Sequence, residues 1–256
     1  MPLAEDPEKS SASSAIILML VVVAVAGYCM LYGLSSLAWI EGKHWGSRDP
    51  WLNDVPQPLP ASWAAGGTLT QVSAYDYKFK TPWGTPKITP ALSFVVMRFS
   101  SGQAIIFYDP QSLLDSIGKL KSSSPVEYQK FANVFIDHPI DSNYALFQAV
   151  YDASPAQESP LMSGRDALRS NVLLLWKLSF GFDTSPGIYS FQWGQMHGFQ
   201  FDEPSNGRPV ALRVFDDRDR QFHFFFLVAG NSNAQISQDE IAAVVSSLQP
   251  VPVTER

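Results

Sequence analysis

The sequence predicts an α+β fold in which an antiparallel sheet carries helices packed on one face, preceded by a single N-terminal transmembrane helix. Three observations predict it. Residues 15–40 form an uncharged run of 26 residues, longer than the roughly 18 that mark a membrane-spanning helix. Downstream, apolar residues alternate at period two in some segments and recur at helical spacing in others. These segments come in the order strands, helices, strands, helix, which suits an α+β domain better than alternating βαβ units.

Residues 1–14, with SSASS before the apolar run, read as a disordered polar tail. The 15–40 segment reads as one uncleaved transmembrane helix, because Glu5, Asp6 and Glu8 against Lys9 are not the basic start of a signal peptide. Tyr32 and Trp39 near its end, with Trp45 and Trp51 beyond, fit an interfacial aromatic belt. Residues 41–67 hold four prolines and three tryptophans and read as a semi-rigid tether without strand or helix period. A single globular domain is then expected over 68–250, with a short tail at 251–256.

Within that domain, Thr68 to Lys80 reads as a first strand, with Tyr75, Tyr77 and Phe79 on one face. LSFVVMRFS (92–100) and QAIIFYD (103–109), joined by Ser101-Gly102, read as a β-hairpin. Helices are expected through Leu113, Leu114, Ile117 and Leu120, and after Ser124-Pro125 through Tyr128, Phe131, Val134 and Phe135. Two more follow over Asp141 to Asp152 and Asp166 to Leu178, the last with Leu168, Val172, Leu175 and Trp176 on its inner face. Strands return over 188–200, 209–215 and 221–228. Ser237-x-x-Glu240 is a capping box opening a final helix stopped by Pro250.

Composition narrows the function classes. A net charge of −6 offers no basic field for phosphate, which argues against nucleic-acid partners. The one cysteine, Cys29, precludes an intrachain disulfide. No Asn-x-Ser/Thr acceptor occurs, which suits a bacterial origin.

GFQF (198–201), LRVFD (212–216), FHFFFLV (222–228) and SQDEIAAVVSSLQP (237–250), with the opening YDYKFKTPW (75–83), resemble the PsbP/Mog1-like group of small α+β domains. The likeness spans about a third of the chain. It implies a binding or assembly role rather than catalysis and transfers no functional residue, and the helical middle from 111 to 180 departs from the smaller members of the group.

No catalytic, cofactor or metal residue is assigned, and each fragment that suggests one has a simpler explanation. Ser116 and Lys119 have the Ser-x-x-Lys spacing of penicillin-recognising enzymes but lack the companion elements. Asp183-Thr184-Ser185 has neither the glycine nor the second copy of an aspartic-protease loop. His44, His138, His197 and His223 are scattered without zinc-ligand spacing; His138, beside Asp137 and Asp141, is the one most suited to titrate. The Asp216 to Arg220 cluster reads as self-paired, solvated charge at a hairpin tip. Trp83, Phe94, Trp176, Trp193, Phe199, Phe224 and Phe226 could line an apolar pocket between sheet and helices, or simply fill the core.

The expectation is therefore a single-pass membrane protein whose extracytoplasmic domain binds an envelope partner without catalysis or cofactor. The alternatives are an apolar-ligand or lipid-binding domain and, more remotely, a hydrolase of unfamiliar type.

Overall fold

The computed structural model describes residues 32–59, 68–108, 119, 121–180, 187–230 and 232–251. The 1–14 tail, residues 15–31 of the expected anchor, and the helix through Leu113, Leu114, Ile117 and Leu120 lie outside these residues. Among the described residues no helix is long and apolar enough to cross a membrane.

The protein is α+β, with a large, mostly antiparallel sheet. The first helix, α1, is described over 32–48. A short 3-10 turn at Pro50–Asn53 leads to β1 (Gln57–Pro58). Strands β2 (Thr70–Ala74), β3 (Tyr77–Thr81), β4 (Lys87–Pro90), β5 (Phe94–Arg98) and β6 (Gln103–Tyr108) follow. Next come helices α2 (Pro125–Val134), α3 (Asn143–Asp152) and α4 (Gly164–Phe180). The chain returns to the sheet as β7 (Ile188–Trp193), β8 (Met196–Phe201), β9 (Val210–Phe215) and β10 (Gln221–Val228), and ends with α5 (Gln238–Ser246) and β11 (Gln249–Pro250). The large sheet has the order β1-β7-β8-β9-β10-β6-β5-β4, with only the β1–β7 pair parallel, and a small antiparallel sheet has the order β11-β3-β2.

Both faces of the large sheet are covered. On one, Val95, Met97, Phe107, Leu212, Val214, Phe224 and Phe226 pack with Phe79 and Val72 of the small sheet and with Ile241, Val244 and Val245 of α5. On the other, Phe199, Phe201, Ala211 and Phe215 meet Leu146, Phe147, Val150 and Tyr151 of α3 and Leu173 and Leu174 of α4. The expectation of helices on one face is thus corrected: α5 lies opposite α3 and α4. Complete burial of an aromatic ring is worth about 2–3 kcal/mol, so two aromatic-rich layers hold this sheet more firmly than one.

The β5–β6 hairpin turns at Ser101-Gly102 as expected, with Gly102 at φ 102. Pro125 opens α2 at a first-turn position, where its missing N–H costs nothing. At α5 both halves of the capping box form: Ser237 Oγ accepts from Glu240 N at 3.2 Å, and Glu240 Oε2 accepts from Ser237 N at 2.8 Å. The expected strand over 68–80 is instead the β2–β3 hairpin, turning at Tyr75-Asp76 with Tyr75 at φ 52. The segment from 188 to 200 is likewise two strands, turning at Gly194 (φ 62).

Two differences concern how the helices meet the domain. Residues 41–48, expected to lie in a tether, continue α1. Ser35, Ala38, Gly42 and Gly46 form its buried stripe, spaced three and four apart, and their small side chains let the backbone approach the domain. Ser35 Oγ donates to Met162 O at 2.6 Å, a Cβ on Gly42 would stand 1.8 Å from Glu158 Oε2, and one on Gly46 would lie 3.1 Å from Pro155. In α4 the inward face is Ala167, Leu173, Leu174 and Lys177, whereas Leu168 and Leu175, expected inside, are exposed.

Candidate functional site

The positions singled out from the sequence do not converge. Ser116 and residues 181–186, including Asp183, Thr184 and Ser185, lie outside the described residues, and Lys119 is exposed. His44 and His138 are exposed, and Asp137 beside His138 instead accepts from Arg165 at 2.6 Å. His197 sits edge-on to the Tyr144 ring at 4.5 Å, and burial lowers its pKa against the pull of Asp219 and Asp216. His223 lies on another strand, beside Gln221. Among the described residues no group of three or more His, Cys, Asp and Glu side chains could hold a metal ion. The seven aromatics divide between layers: Trp83, Trp193, Phe224 and Phe226 on the α5 side, Phe199 and Trp176 on the α4 side, and Phe94 against Tyr108. They do not line a common cavity.

The Asp216 to Arg220 turn departs from the solvated reading. Asp216 is buried; its Oδ1 accepts from the amides of Arg218 and Arg220, and its Oδ2 from Arg220 Nε at 2.6 Å. Asp219, held at φ 58, crosses to α3: its Oδ2 accepts from Asn143 N at 2.5 Å and its Oδ1 from Tyr144 N at 2.9 Å. A carboxylate on the first free amides of a helix satisfies orphan donors and complements the helix dipole. The turn therefore ties the sheet to the helical layer.

Lys177, fully buried on α4, is the most unusual side chain in that layer. Its ammonium donates to four backbone carbonyls: Asp54 O at 2.6 Å, Ala153 O at 2.7 Å, Tyr151 O at 2.9 Å and Leu52 O at 3.2 Å. Burial pushes its pKa down to about 8, while Asp54 and Asp152 hold it up. One side chain thus joins the chain after α1, the end of α3 and α4. Its only sequence signal is a lysine three residues beyond Leu174 on an otherwise apolar stripe.

A buried polar seam runs along β9 and β10 on the same face. Arg213 and His223 are register partners, and the Arg213 guanidinium lies 3.8 Å from the Phe147 ring centre, a desolvated cation–π contact. Burial, then Arg213, lowers the His223 pKa to about 3, so its ring is neutral and meets Gln221 Nε2 at 2.6 Å. The Tyr151 hydroxyl is buried nearby, and burial raises its pKa. A phenol and an imidazole kept neutral in a packed layer suit a structural seam.

A concavity of ligand size lies elsewhere, at the strand ends. A groove of about 650 Å³ opens between the β8–β9 loop and the segment after β10. Val210, Phe226 and Ile236 form an apolar floor, and Ser205, Arg208 and Gln235 a polar rim. This volume is in the small-ligand range of roughly 300–1,000 Å³, and an apolar floor with a few polar groups is the usual make-up of a binding site. The loop residues PSNGRP (204–209) are the accessible sequence signal. Gly187 links the groove to the start of the domain: Asp202 N donates to Gly187 O, and Gly187 lines a cleft with Asp54 and Val55. The groove thus lies at the end of the fold that residues 53–55 reach after α1. No family model and no curated protein matches the chain.

Proposed function

We propose that this chain is a single-pass membrane protein, anchored through residues 15–40, whose domain is a non-catalytic binding or assembly module of the cell envelope. The observation that carries the reading is the layout of α1. The helix issues from the uncharged run and packs on the domain by its small-residue face. About 21 Å of helical rise separates Leu34 from Arg48, and the groove lies beyond the Arg48 end. A partner site at the far end from the anchor is open to the aqueous compartment. The resemblance to PsbP/Mog1-like domains supports binding or assembly as the class of activity.

The test combines alkaline extraction of membranes, protease treatment of intact spheroplasts and photo-crosslinking from position 205 on the groove rim, with exposed Lys119, outside the groove lining, as the control position. The reading expects a chain that resists extraction, a domain digested before lysis, and adducts from position 205 alone. Release by alkali refutes the anchor, protection until lysis refutes the exported domain, and equal adducts at both positions refute the groove. The apolar floor of Val210, Phe226 and Ile236 favours a second reading, an apolar ligand in the same groove, which predicts saturable binding of a hydrophobic dye that Val210→Arg abolishes.

A further inference from the structure

Exposed apolar side chains gather around the start of α1. Leu34, Leu37 and Ile40 lie on one face at spacings of three and are 73%, 64% and 58% exposed. A Cβ on Gly164 would be 3.9 Å from Leu34 Cδ1, and Gly164 lines a surface hollow with Ile136 and Leu168. Ile136, Leu168 and neighbouring Leu161 are 59%, 52% and 65% exposed. Single exposed aliphatic side chains are ordinary, but six on three segments that meet at Leu34, Gly164 and the hollow of Ile136 and Leu168 are of the kind that marks an interaction surface.

We propose that this collar lies in the lipid interface of the bilayer, so that the domain rests against the membrane instead of standing off on a tether. The inference deepens the anchor reading and rests on it. Its first support is length. As a helix, the 26 uncharged residues of 15–40 would rise about 39 Å, whereas the hydrocarbon layer needs about 30 Å, or about 20 residues. The excess is about 9 Å, close to the rise from Leu34 to Ile40, and the headgroup layer on one side is about 5–7 Å deep.

The second support is the switch along the outer face of α1. It is apolar through Leu34, Leu37 and Ile40, and then polar through Glu41, Lys43, His44 and Arg48. A bilayer surface near residue 40 accounts for the change. The Ser35–Met162 hydrogen bond and the Leu34–Gly164 approach then place residues 161–168 at headgroup depth. Of their four exposed residues Leu161 and Leu168 are apolar, while Ser163 bonds Asp166 and Arg165 pairs with Asp137, both within the protein. Lipid is the occupant that the preceding uncharged residues bring to this place, whereas a protein partner would have to displace it.

The experiment uses the full chain with Cys29→Ser and one new cysteine, Leu161→Cys, Leu168→Cys or Ser205→Cys, labelled with an environment-sensitive fluorophore and reconstituted into phosphatidylcholine vesicles. Flotation and resistance to alkali report the anchor separately. The expected result is several-fold stronger quenching by lipid-borne spin labels at 161 and 168 than at 205, with the reverse order for aqueous iodide. If the chain floats but iodide quenches 161 and 168 as strongly as 205, the collar proposal is overturned and the anchor stands. A chain that does not float overturns both.

Discussion

Replacing Lys177 by methionine keeps the length of the side chain and removes its three donors. The carbonyls of Leu52, Asp54, Tyr151 and Ala153, now 2.6–3.2 Å from the ammonium, lose a shared partner in a site closed to water. Each buried acceptor left dry costs about 1–3 kcal/mol. Against this, the variant recovers the cost of burying the charge: a pKa lowered from 10.5 to about 8 corresponds to about 3 kcal/mol. The net expectation is a loss of about 3 kcal/mol, within the range for breaking a buried polar arrangement by removing one member. The sign with pH is also fixed. Folding lowers this pKa, so between about pH 8 and 10.5 the unfolded chain binds more protons and wild-type stability rises with pH across that window. Urea unfolding of the full chain in detergent, followed by tryptophan fluorescence at pH 7 and 9.5, checks both. A variant within about 0.5 kcal/mol of wild type, a difference ordinary for a surface substitution, would refute the reasoning.

Three further outcomes are expected. Gly198→Ala places a Cβ 2.0 Å from Arg213 O in the β8–β9 ladder, where backbone must move; the urea midpoint should fall by an amount equivalent to about 2–4 kcal/mol. Asp219→Ala removes the carboxylate from the first amides of α3 and should cost about 1–2 kcal/mol, with faster amide exchange at Asn143 and Tyr144 than in α5. His223 is neutral when folded, with its pKa lowered from 6.5 to about 3, so the unfolded chain binds more protons between those values and stability falls as pH drops through them. By pH 5 the loss is about 2 kcal/mol, and His223→Phe should flatten that slope.

Elements with local signals were legible in the sequence. Ser101-Gly102 between two apolar runs marks the β5–β6 hairpin, Ser124-Pro125 opens α2, and Ser237-x-x-Glu240 opens α5, because each turn or cap is completed within a few residues. The β2–β3 turn was hidden because Tyr75 occupies the left-handed position, and a tyrosine there carries no turn signature. The inward face of α4 was misjudged by following leucines: Leu168 and Leu175 point outward, while Lys177 turns inward to carbonyls that only the assembled fold brings together. Asp219 looked like solvated charge because its helix starts 76 residues earlier in the chain. The groove was announced only by the composition of its loop.

The polar groups that escaped a sequence reading share a place: they join layers. Asp219 ties the sheet to α3, Lys177 ties α3 and α4 to the chain beyond α1, and buried Glu158, bonded to Ser170, stands against Gly42 of α1 itself. The inward stripe of α1 is small, with Ser35, Ala38, Gly42 and Gly46 offering little apolar area beyond that of half-buried Trp45, so at about 25 cal/mol per Å² hydrophobic burial alone holds this helix weakly. Of its larger side chains, Leu34, Leu37 and Ile40 face outward, whereas Trp45 packs against the helical core. Close backbone approach and polar ties must therefore fix its place on the domain. Local opening is drawn from regions with little buried apolar contact, which makes α1, held inward mainly by small side chains and Trp45, the first element to loosen when the Lys177 cage is broken, while the doubly covered sheet persists. Undocking before global unfolding follows from a helix that leaves Leu34, Leu37 and Ile40 outside its own domain.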